Sequence, residues 1–181
     1  MTVKLVILDR DGVINFDSDQ YIKSPSEWRP IPGSIEAIAR LYQAGFRVAV
    51  ATNQSGIGRG LFDMATLNAI NDKMMEMVFR QGGRIDALFF CPHTAAENCA
   101  CRKPRTGMLE EIALRFHVDL KGTPLIGDSL KDLQAAEAVG AQPILVLTGK
   151  GARTRSEGAM PKKTLVYEDL ADATRHLTAP A

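Results

Sequence analysis

The sequence lacks the features that would direct it to a membrane or a nucleic acid. No apolar stretch approaches the roughly 20 residues that a membrane-spanning helix needs. Its first residues, MTVKLVILDRDG, carry charges within a short apolar run and contain no small-residue cleavage site, unlike a signal peptide. The formal net charge is only +1, which leaves no general basic surface to attract nucleic acid or lipid. We therefore expect a cytoplasmic protein that binds neither.

The composition is that of an ordinary globular domain. The chain has 181 residues, of which 45% are hydrophobic and 24% are charged. A chain of this length can bury a substantial core without disulfide bonds, and no repeat, low-complexity tract or linker divides it. These features predict a single domain over residues 1–181 and favour a monomer.

Cysteine is scarce, and its three copies are clustered. Cys91, Cys99 and Cys101 lie with His93 in the pattern C-x-H-x5-C-x-C. Thiols stay reduced in the cytoplasm, and three thiolates with one imidazole make a closed tetrahedral zinc site. We predict a structural Zn²⁺ that stabilises a loop over residues 91–105. The alternative is that these are unremarkable thiols in a mobile loop.

Strands and helices alternate along the chain. Continuous apolar runs are typical of strands buried on both faces, and helical patterns follow them, with caps predicted at Ser34 and Asp63. Residues 148–163 are rich in Gly, Lys and Arg and are predicted to form a loop. The alternation predicts an α/β fold with a Rossmann-like parallel sheet and helices on both faces. The predicted strands are residues 3–9, 46–52, 86–90, 123–127, 143–147 and 165–167.

Polar side chains follow four of the predicted strands. In such a fold the ligand site lies at the carboxyl ends of the strands, so these residues should converge on one edge of the sheet. Carboxylates, hydroxyl and amide donors, and cations together are what a magnesium-assisted phosphoryl-transfer site requires. In chain order they are Asp9 and Asp11, Thr52 and Asn53, Arg102 and Lys103, and Asp128.

Each carboxylate can be given a chemical role. Asp9 is the candidate nucleophile, which attacks phosphorus and forms an aspartyl-phosphate. Asp9 and Asp128 are candidate Mg²⁺ ligands because this ion prefers hard oxygens, with the main-chain carbonyl of Asp11 as a third. The Asp11 side chain is placed to protonate the leaving oxygen and then to deprotonate the attacking water.

The remaining polar residues can stabilise the phosphoryl group. Thr52 and Asn53 can donate hydrogen bonds to its oxygens, and Lys103 can offset their negative charge in the transition state. Each feature alone is weak, because an Asp-rich turn or a surface lysine is common. Their joint occurrence in this order supports the interpretation.

The motifs resemble those of the haloacid dehalogenase superfamily of phosphatases. DRDGVIN resembles its first motif, TN the second, the lysine of RKP the third and GDSLKD the fourth. The resemblance covers residues 3–147. It implies a Rossmann-like fold, obligatory Mg²⁺ and an aspartyl-phosphate intermediate, and it supports the roles given above.

The cysteine loop restricts the resemblance to one subfamily of this superfamily. About 40 residues lie between Asp11 and Thr52, too few for an inserted cap domain. The chain instead resembles a capless subfamily with a C-x-H…C-x-C zinc loop, which acts on D-glycero-D-manno-heptose 1,7-bisphosphate or on histidinol phosphate. DRDGVIN, TNQSGIGRG and CRKP favour the first substrate. The resemblance then implies removal of the 7-phosphate from a sugar bisphosphate, in the supply of ADP-heptose for lipopolysaccharide core.

The subfamily resemblance also implies which residues contact the substrate. Arg102 would contribute to recognition, and a second phosphate needs a cation, for which Arg102 and Arg59 are candidates. The other implied substrate contacts are Asp17, Ser18, Asp19, Gln20, Asn53, Gln54 and Ser55.

Other functions remain open from the sequence. Asp17, Asp19 and Glu97 keep a histidinol-phosphate phosphatase possible, since acidic residues near the entrance would suit an aminoalkyl substrate. A nucleic-acid 3′-phosphatase is disfavoured by the neutral net charge. A catalytically silent zinc-binding scaffold is disfavoured by the retained aspartates. Ser129 stands where some relatives have lysine, and this leaves its role open.

Overall fold

The computed structural model describes residues 3–180, and within them six strands form one parallel sheet. The strand order is β3-β2-β1-β4-β5-β6, and every neighbouring pair is parallel. This is the doubly wound order in which ligands bind where the order reverses. The strands are β1 (Lys4–Leu8), β2 (Phe46–Asn53), β3 (Ala87–Cys91), β4 (Pro124–Gly127), β5 (Gln142–Val146) and β6 (Leu165–Tyr167).

Helices cover both faces of the sheet, so the predicted fold class is confirmed. In β1, Val6 and Leu8 pack into a core shared with α1, α2 and α6, whereas Leu5 and Ile7 pack into one shared with α3 and α4. Because both faces are buried, the strand reads as a continuous apolar run. The helices are α1 (Ser34–Gln43), α2 (Met64–Arg80), α3 (Gly107–Phe116), α4 (Leu130–Ala138), α5 (Gly151–Glu157) and α6 (Leu170–Leu177), with a 3-10 turn at Ala95–Glu97.

The structure confirms one of the two predicted helix caps and contradicts the other. Asp63 precedes α2, and its carboxylate accepts a hydrogen bond from the Thr66 main-chain N–H at 2.8 Å, as predicted. Ser34 is not a cap: it is the first residue of α1, and Gly33 holds the cap position with φ of 83°. The Ser34 hydroxyl is buried and donates to the Ile14 carbonyl at 2.6 Å instead.

The prediction that residues 148–163 form only a loop is wrong, because this segment contains α5. The helix is short and begins with a glycine, so its intrinsic propensity is poor. Tertiary contacts anchor it: the Thr154 hydroxyl is buried and donates to the Asp128 carbonyl at 2.8 Å. Gly151 lies so close to the Val146 carbonyl that a Cβ atom would collide with it. The segment therefore packs against the end of β5 and beside the sheet edge where β4 ends.

The direction in which successive strands are added to the sheet reverses between β1 and β4, and this determines where the site lies. β1 and β4 are neighbours, with Ile7 beside Leu125 and Leu8 beside Ile126, and the chain continues to opposite sides of the sheet from them. The Asp9 main-chain N–H extends this pairing by donating to the Ile126 carbonyl at 2.9 Å. The crevice at the carboxyl ends of β1 and β4 is thus open to ligands. No helix within residues 3–180 is long and apolar enough to cross a membrane.

Candidate active site

A polar cavity of about 480 Å³ opens at the carboxyl edge of the sheet. It brings together most of the residues predicted from the sequence, although they come from four strand ends and two loops. The predicted residues that line it are Asp9, Asp11, Asp17, Ser18, Asp19, Thr52, Asn53, Gln54, Ser55, Arg102, Lys103 and Asp128.

Two predicted substrate contacts lie elsewhere. Gln20 lines a neighbouring depression that it shares with Asp17 and Ser18. Arg59 is exposed on the loop after β2, where its main-chain N–H donates to the Ser55 carbonyl at 3.0 Å. Among the described residues, neither of them lines the central cavity.

Three carboxylates form the acidic centre of the cavity. Oxygen atoms of Asp9, Asp128 and Asp132 lie within 4.8 Å of one another. Asp9 follows β1 directly, Asp128 follows β4, and Asp132 lies in the first turn of α4. Hard oxygen donors grouped in this way fit a divalent cation such as Mg²⁺. Asp132 was not predicted as a site residue, although it ends the GDSLKD motif.

Mutual repulsion and burial disfavour ionisation of this centre. Burial raises the pKa of Asp9 to about 7, and the charge of Asp132 adds to the rise while Lys103 opposes it. Burial likewise raises the pKa of Asp128 to about 8, with contributions from the charges of Asp9 and Asp132. Clustered carboxylates that resist ionisation without a partner are a site where a cation would relieve repulsion.

Two glycines allow the chain to close around Asp128. A Cβ atom at Gly12 or at Gly149 would collide with the Asp128 carboxylate, and both residues have positive φ, at 84° and 57°. The Lys150 main-chain N–H donates to Asp128 Oδ2 at 2.8 Å. Thr148 joins the two segments, because its hydroxyl donates to the Gly12 carbonyl at 2.6 Å. The orientation of Asp128 is therefore set from both sides.

Asp11 is held by donors on one side of the cavity. Arg10 Nε donates to its Oδ1 at 2.9 Å, and Asn15 Nδ2 donates to the same oxygen at 2.9 Å. Gln54 Nε2 donates both to Asp11 Oδ2 at 3.0 Å and to Thr52 Oγ1 at 2.9 Å. Burial favours the neutral acid, but the Arg10 charge and these hydrogen bonds outweigh it and lower the pKa of Asp11. Gln54 thus aligns two of the proposed catalytic groups with each other.

Lys103 is the buried cation of the site. Its Nζ lies 3.1 Å from Asp9 Oδ1 and 2.6 Å from Asp132 Oδ1, and it donates to the Ala51 carbonyl at 2.6 Å. Burial lowers its pKa, but the two carboxylates outweigh this effect and raise it, so the amine is charged. Asn53 fixes the main chain here, accepting from the Lys103 N–H and donating to its carbonyl, each at 3.1 Å. The Asn53 amide, predicted to contact phosphoryl oxygens, is therefore already engaged.

The cysteine loop brings its four predicted ligands into contact. The Sγ atoms of Cys91, Cys99 and Cys101 are 3.1–3.5 Å apart, and His93 Nδ1 lies 3.3 Å from Cys101 Sγ and 3.6 Å from Cys91 Sγ. A tetrahedral zinc site with bonds of about 2.3 Å places sulfur atoms about 3.8 Å apart. The thiols lie a few tenths of an ångström closer than this, so the four side chains would move slightly apart around an ion, and this group could hold a metal.

The thiols of this group differ in acidity. Burial raises the pKa of Cys91 to about 12, and hydrogen bonds with the other thiols add to the rise. Burial also disfavours the Cys99 thiolate, but the Arg102 main-chain N–H and the neighbouring thiols outweigh it and lower its pKa to about 7. Cys101 is followed directly by Arg102 and Lys103, which both line the cavity. An ion bound by the loop would therefore have a ligand only one or two residues away from these cations.

A cationic rim completes the cavity. Lys131 from α4 and Lys150, just before α5, join Arg102 there, and neither lysine was predicted as a site residue. Lys150 Nζ pairs with Asp17 Oδ2 at 3.3 Å and lies 3.9 Å from Asp19 Oδ1. Burial, followed by the charges of Arg102 and Lys150, lowers the pKa of Lys131. The sequence left open whether the basic residues 148–163 touch the substrate, and Lys150 was not assigned to the site.

The Rossmann-like fold and the acidic centre at its sheet edge fit an enzyme of the phosphoryl-transfer class. A family model described as Polynucleotide kinase 3 phosphatase matches residues 4–133, and one described as HAD-hydrolase-like matches residues 100–173. The first match covers more than half of the chain and includes the ends of β1, β2 and β4.

Full-length relatives make the assignment more specific. The D-glycero-beta-D-manno-heptose-1,7-bisphosphate 7-phosphatase of Bordetella bronchiseptica is 56% identical over 179 residues, covering 99% of this chain and 100% of the relative. The enzyme of the same name from Pseudomonas putida is 55% identical and covers 97% of this chain and 99% of the relative. The chain therefore belongs to the haloacid dehalogenase superfamily, in the family of the heptose-1,7-bisphosphate 7-phosphatases, and is a phosphoric monoester hydrolase.

Solved structures agree with this assignment. The crystal structure of D,D-heptose 1.7-bisphosphate phosphatase from B. bronchiseptica, complexed with magnesium and phosphate, is similar with a TM-score of 0.95 at 56% identity. The match covers 97% of this chain and 98% of that one. The corresponding phosphatase from Burkholderia thailandensis has a TM-score of 0.79 at 52% identity, covering 98% and 99%.

Proposed function

We propose that the protein removes the 7-phosphate of D-glycero-beta-D-manno-heptose 1,7-bisphosphate in a Mg²⁺-dependent reaction. The observation that carries the proposal is the full-length similarity to the B. bronchiseptica enzyme of that name, at 56% identity. The product would keep its 1-phosphate, which suits later nucleotide activation in the supply of ADP-heptose for lipopolysaccharide core. The β anomer is proposed because the relatives' names specify it.

The chain's own residues supply the covalent chemistry. Asp9 attacks the 7-phosphorus, an aspartyl-phosphate bond forms, and the bond to the sugar oxygen breaks. Asp11, whose pKa is lowered in the free protein, would take up a proton when the anionic substrate binds, give it to that oxygen, and then take one from the water that hydrolyses the aspartyl-phosphate. Thr52 donates to a phosphoryl oxygen, and Lys103 offsets charge on the phosphoryl group. The shared Gln54 donor supports this arrangement because it fixes Asp11 and Thr52 relative to each other.

Mg²⁺ would be held by Asp9 and Asp128, with the Asp11 main-chain carbonyl as a further ligand. Asp132 is the less suitable ligand, although it lies in the same carboxylate group. Its Oδ1 lies 2.6 Å from Lys103 Nζ, and its Oδ2 accepts from the Ser129 hydroxyl at 2.7 Å. When bound, Mg²⁺ would neutralise the anions that otherwise repel the nucleophile from the substrate.

The decisive experiment compares three substrates in the presence of Mg²⁺. We expect the release of one phosphate per molecule of heptose 1,7-bisphosphate. The kcat/KM should be higher for the β anomer than for the α anomer. Histidinol phosphate and a 3′-phosphorylated oligonucleotide should be poor substrates. The oligonucleotide is included because the Polynucleotide kinase 3 phosphatase model matches residues 4–133. A higher kcat/KM for histidinol phosphate or for the oligonucleotide than for the bisphosphate would contradict the proposal.

We further propose that the Cys/His group holds a structural Zn²⁺ and that the protein acts in the cytoplasm. Three sulfur atoms within 3.5 Å of one another would oxidise readily outside a reducing compartment. The donor set is closed, which leaves no position for a reacting water. The single-domain organisation over residues 1–181 remains a prediction that cooperative unfolding in one transition would support, and the monomeric state remains a prediction that light scattering in solution can check.

Loss of the zinc should lower activity. The ion would fix the loop that ends in Arg102 and Lys103, so we expect Cys99→Ser, or chelation, to reduce kcat/KM about 10- to 100-fold. Metal content by mass spectrometry, Tm and phosphate release should be measured on the same samples, with Mg²⁺ restored after chelation. A zinc-free protein with full activity and unchanged substrate affinity would show that the loop does not position these cations.

A further inference from the structure

Arg102 and Lys131 stand together at the mouth of the cavity. Both line the central cavity, and both also line a smaller one of about 230 Å³ beside the cysteine loop. The two residues therefore share the wall between these spaces, although they are far apart in sequence. Lys131 is exposed and Arg102 is partly buried, so both charged groups can meet a ligand from solvent.

These two cations differ from the other cations of the cavity because they have no acidic partner. Lys103 is paired with Asp9 and Asp132, Lys150 with Asp17, and Arg153 with Glu157. Within residues 3–180, neither Arg102 nor Lys131 forms an ion pair, and the Arg102 guanidinium donates to the His93 carbonyl at 3.3 Å. Neighbouring cations without a counter-charge create a local positive potential that an anionic group would relieve.

A bisphosphate presents two dianionic groups that one buried site cannot bind together. Lys103 and Thr52 lie at the base of the cavity beside Asp9, where the phosphate that is transferred must lie. The phosphate that remains on the sugar is at the other end of the substrate, so its recognition requires cations at the mouth. Arg59 was predicted for this task, but it lies outside the cavity, whereas Lys131 lines it.

We propose that Lys131 acts with Arg102 to bind the phosphate that the reaction leaves on the sugar. This inference rests on the proposed function and assigns Lys131 as a determinant of specificity for a bisphosphate over a monophosphate. A guanidinium and an ammonium group complement each other here, because Arg102 can bind two phosphate oxygens at once and Lys131 adds a flexible point charge.

The test uses Lys131→Met with heptose 1,7-bisphosphate and heptose 7-phosphate as paired substrates. We expect the preference for the bisphosphate, as a ratio of kcat/KM values, to fall about tenfold, mainly through KM. Lys131→Arg should restore most of this preference because it retains the charge. Lys121→Met is a matched control, since Lys121 is exposed and lies outside both cavities. An equal loss for both substrates, or no change in the ratio, would overturn the proposal.

A binding measurement separates this inference from the proposed function. Calorimetric titration with the product, heptose 1-phosphate, should give an affinity about tenfold weaker for Lys131→Met than for the wild type. Equal affinity in the two proteins would reject the role of Lys131, whatever the turnover rates. Conversely, a wild type that binds this ligand through Lys131 but releases no phosphate from the bisphosphate would refute the proposed function alone.

Discussion

Replacing Asp9 with Asn is expected to abolish Mg²⁺-dependent phosphate release. The amide is nearly isosteric with the carboxylate but cannot attack phosphorus, and it removes one of the two carboxylates proposed as metal ligands. For residues that act as a unit in covalent catalysis, losses of about 10⁴-fold or more are usual. The measurement is phosphate release from heptose 1,7-bisphosphate at saturating Mg²⁺. Residual activity within about 100-fold of the wild type would exclude Asp9 as the nucleophile.

The stability of Asp9→Asn provides the control, because inactivity should not come from unfolding. In the metal-free protein the pKa of Asp9 is raised from an ordinary 3.8 to about 7. Between these values the folded state binds a proton that the unfolded state has lost, so the wild type loses stability as the pH rises. The amide side chain of the variant does not titrate. With a chelator present, the Tm of the variant minus the Tm of the wild type should therefore become more positive as the pH is raised from 5 to 8.

Most of the sheet and its edge could be predicted from the sequence because local patterns determine them. From Leu5 to Leu8, each residue of β1 faces one of two helix layers, so this run has to be apolar, and the polar residue Asp9 marks its end. Asp9 directly follows β1, and Thr52 lies near the carboxyl end of the adjacent strand β2, so both reach the site. The clustering of Cys91 with Cys99 and Cys101 was predictable because all three lie in one short segment.

Features that depend on partners distant in sequence could not be predicted. Arg10, between two aspartates, reads as an exposed charge, yet it is fully buried because it binds Asp11 and the Asn71 amide on α2, which is 61 residues away. The helix α5 was missed because packing rather than propensity stabilises it. As a consequence, Lys150 was not assigned to the site, although its main-chain N–H contacts Asp128.

The second large effect is expected for Lys103→Met, in both catalysis and stability. The substitution removes the cation that contacts the Asp9 and Asp132 carboxylates and keeps a similar side-chain volume. Loss of a preorganised charge facing the phosphoryl group should lower kcat about 10²- to 10³-fold. Stability should fall by about 3–5 kcal/mol, since the buried Asp132 and the mostly buried Asp9 lose their partner. For a domain of this size the fall corresponds to a drop in Tm of about 10 °C.

A double variant separates the two consequences. Adding Asp132→Asn to Lys103→Met removes a carboxylate along with its partner, and deleting both members of a buried ion pair is far less destabilising than deleting one. We therefore expect the double variant to recover most of the lost Tm, measured in the metal-free protein, but none of the lost kcat, because the cation facing the phosphoryl group is still missing. Recovery of kcat together with Tm would mean that Lys103 only neutralises Asp132 and does not act on the substrate. Recovery of Tm alone would assign the catalytic effect to the Lys103 charge itself.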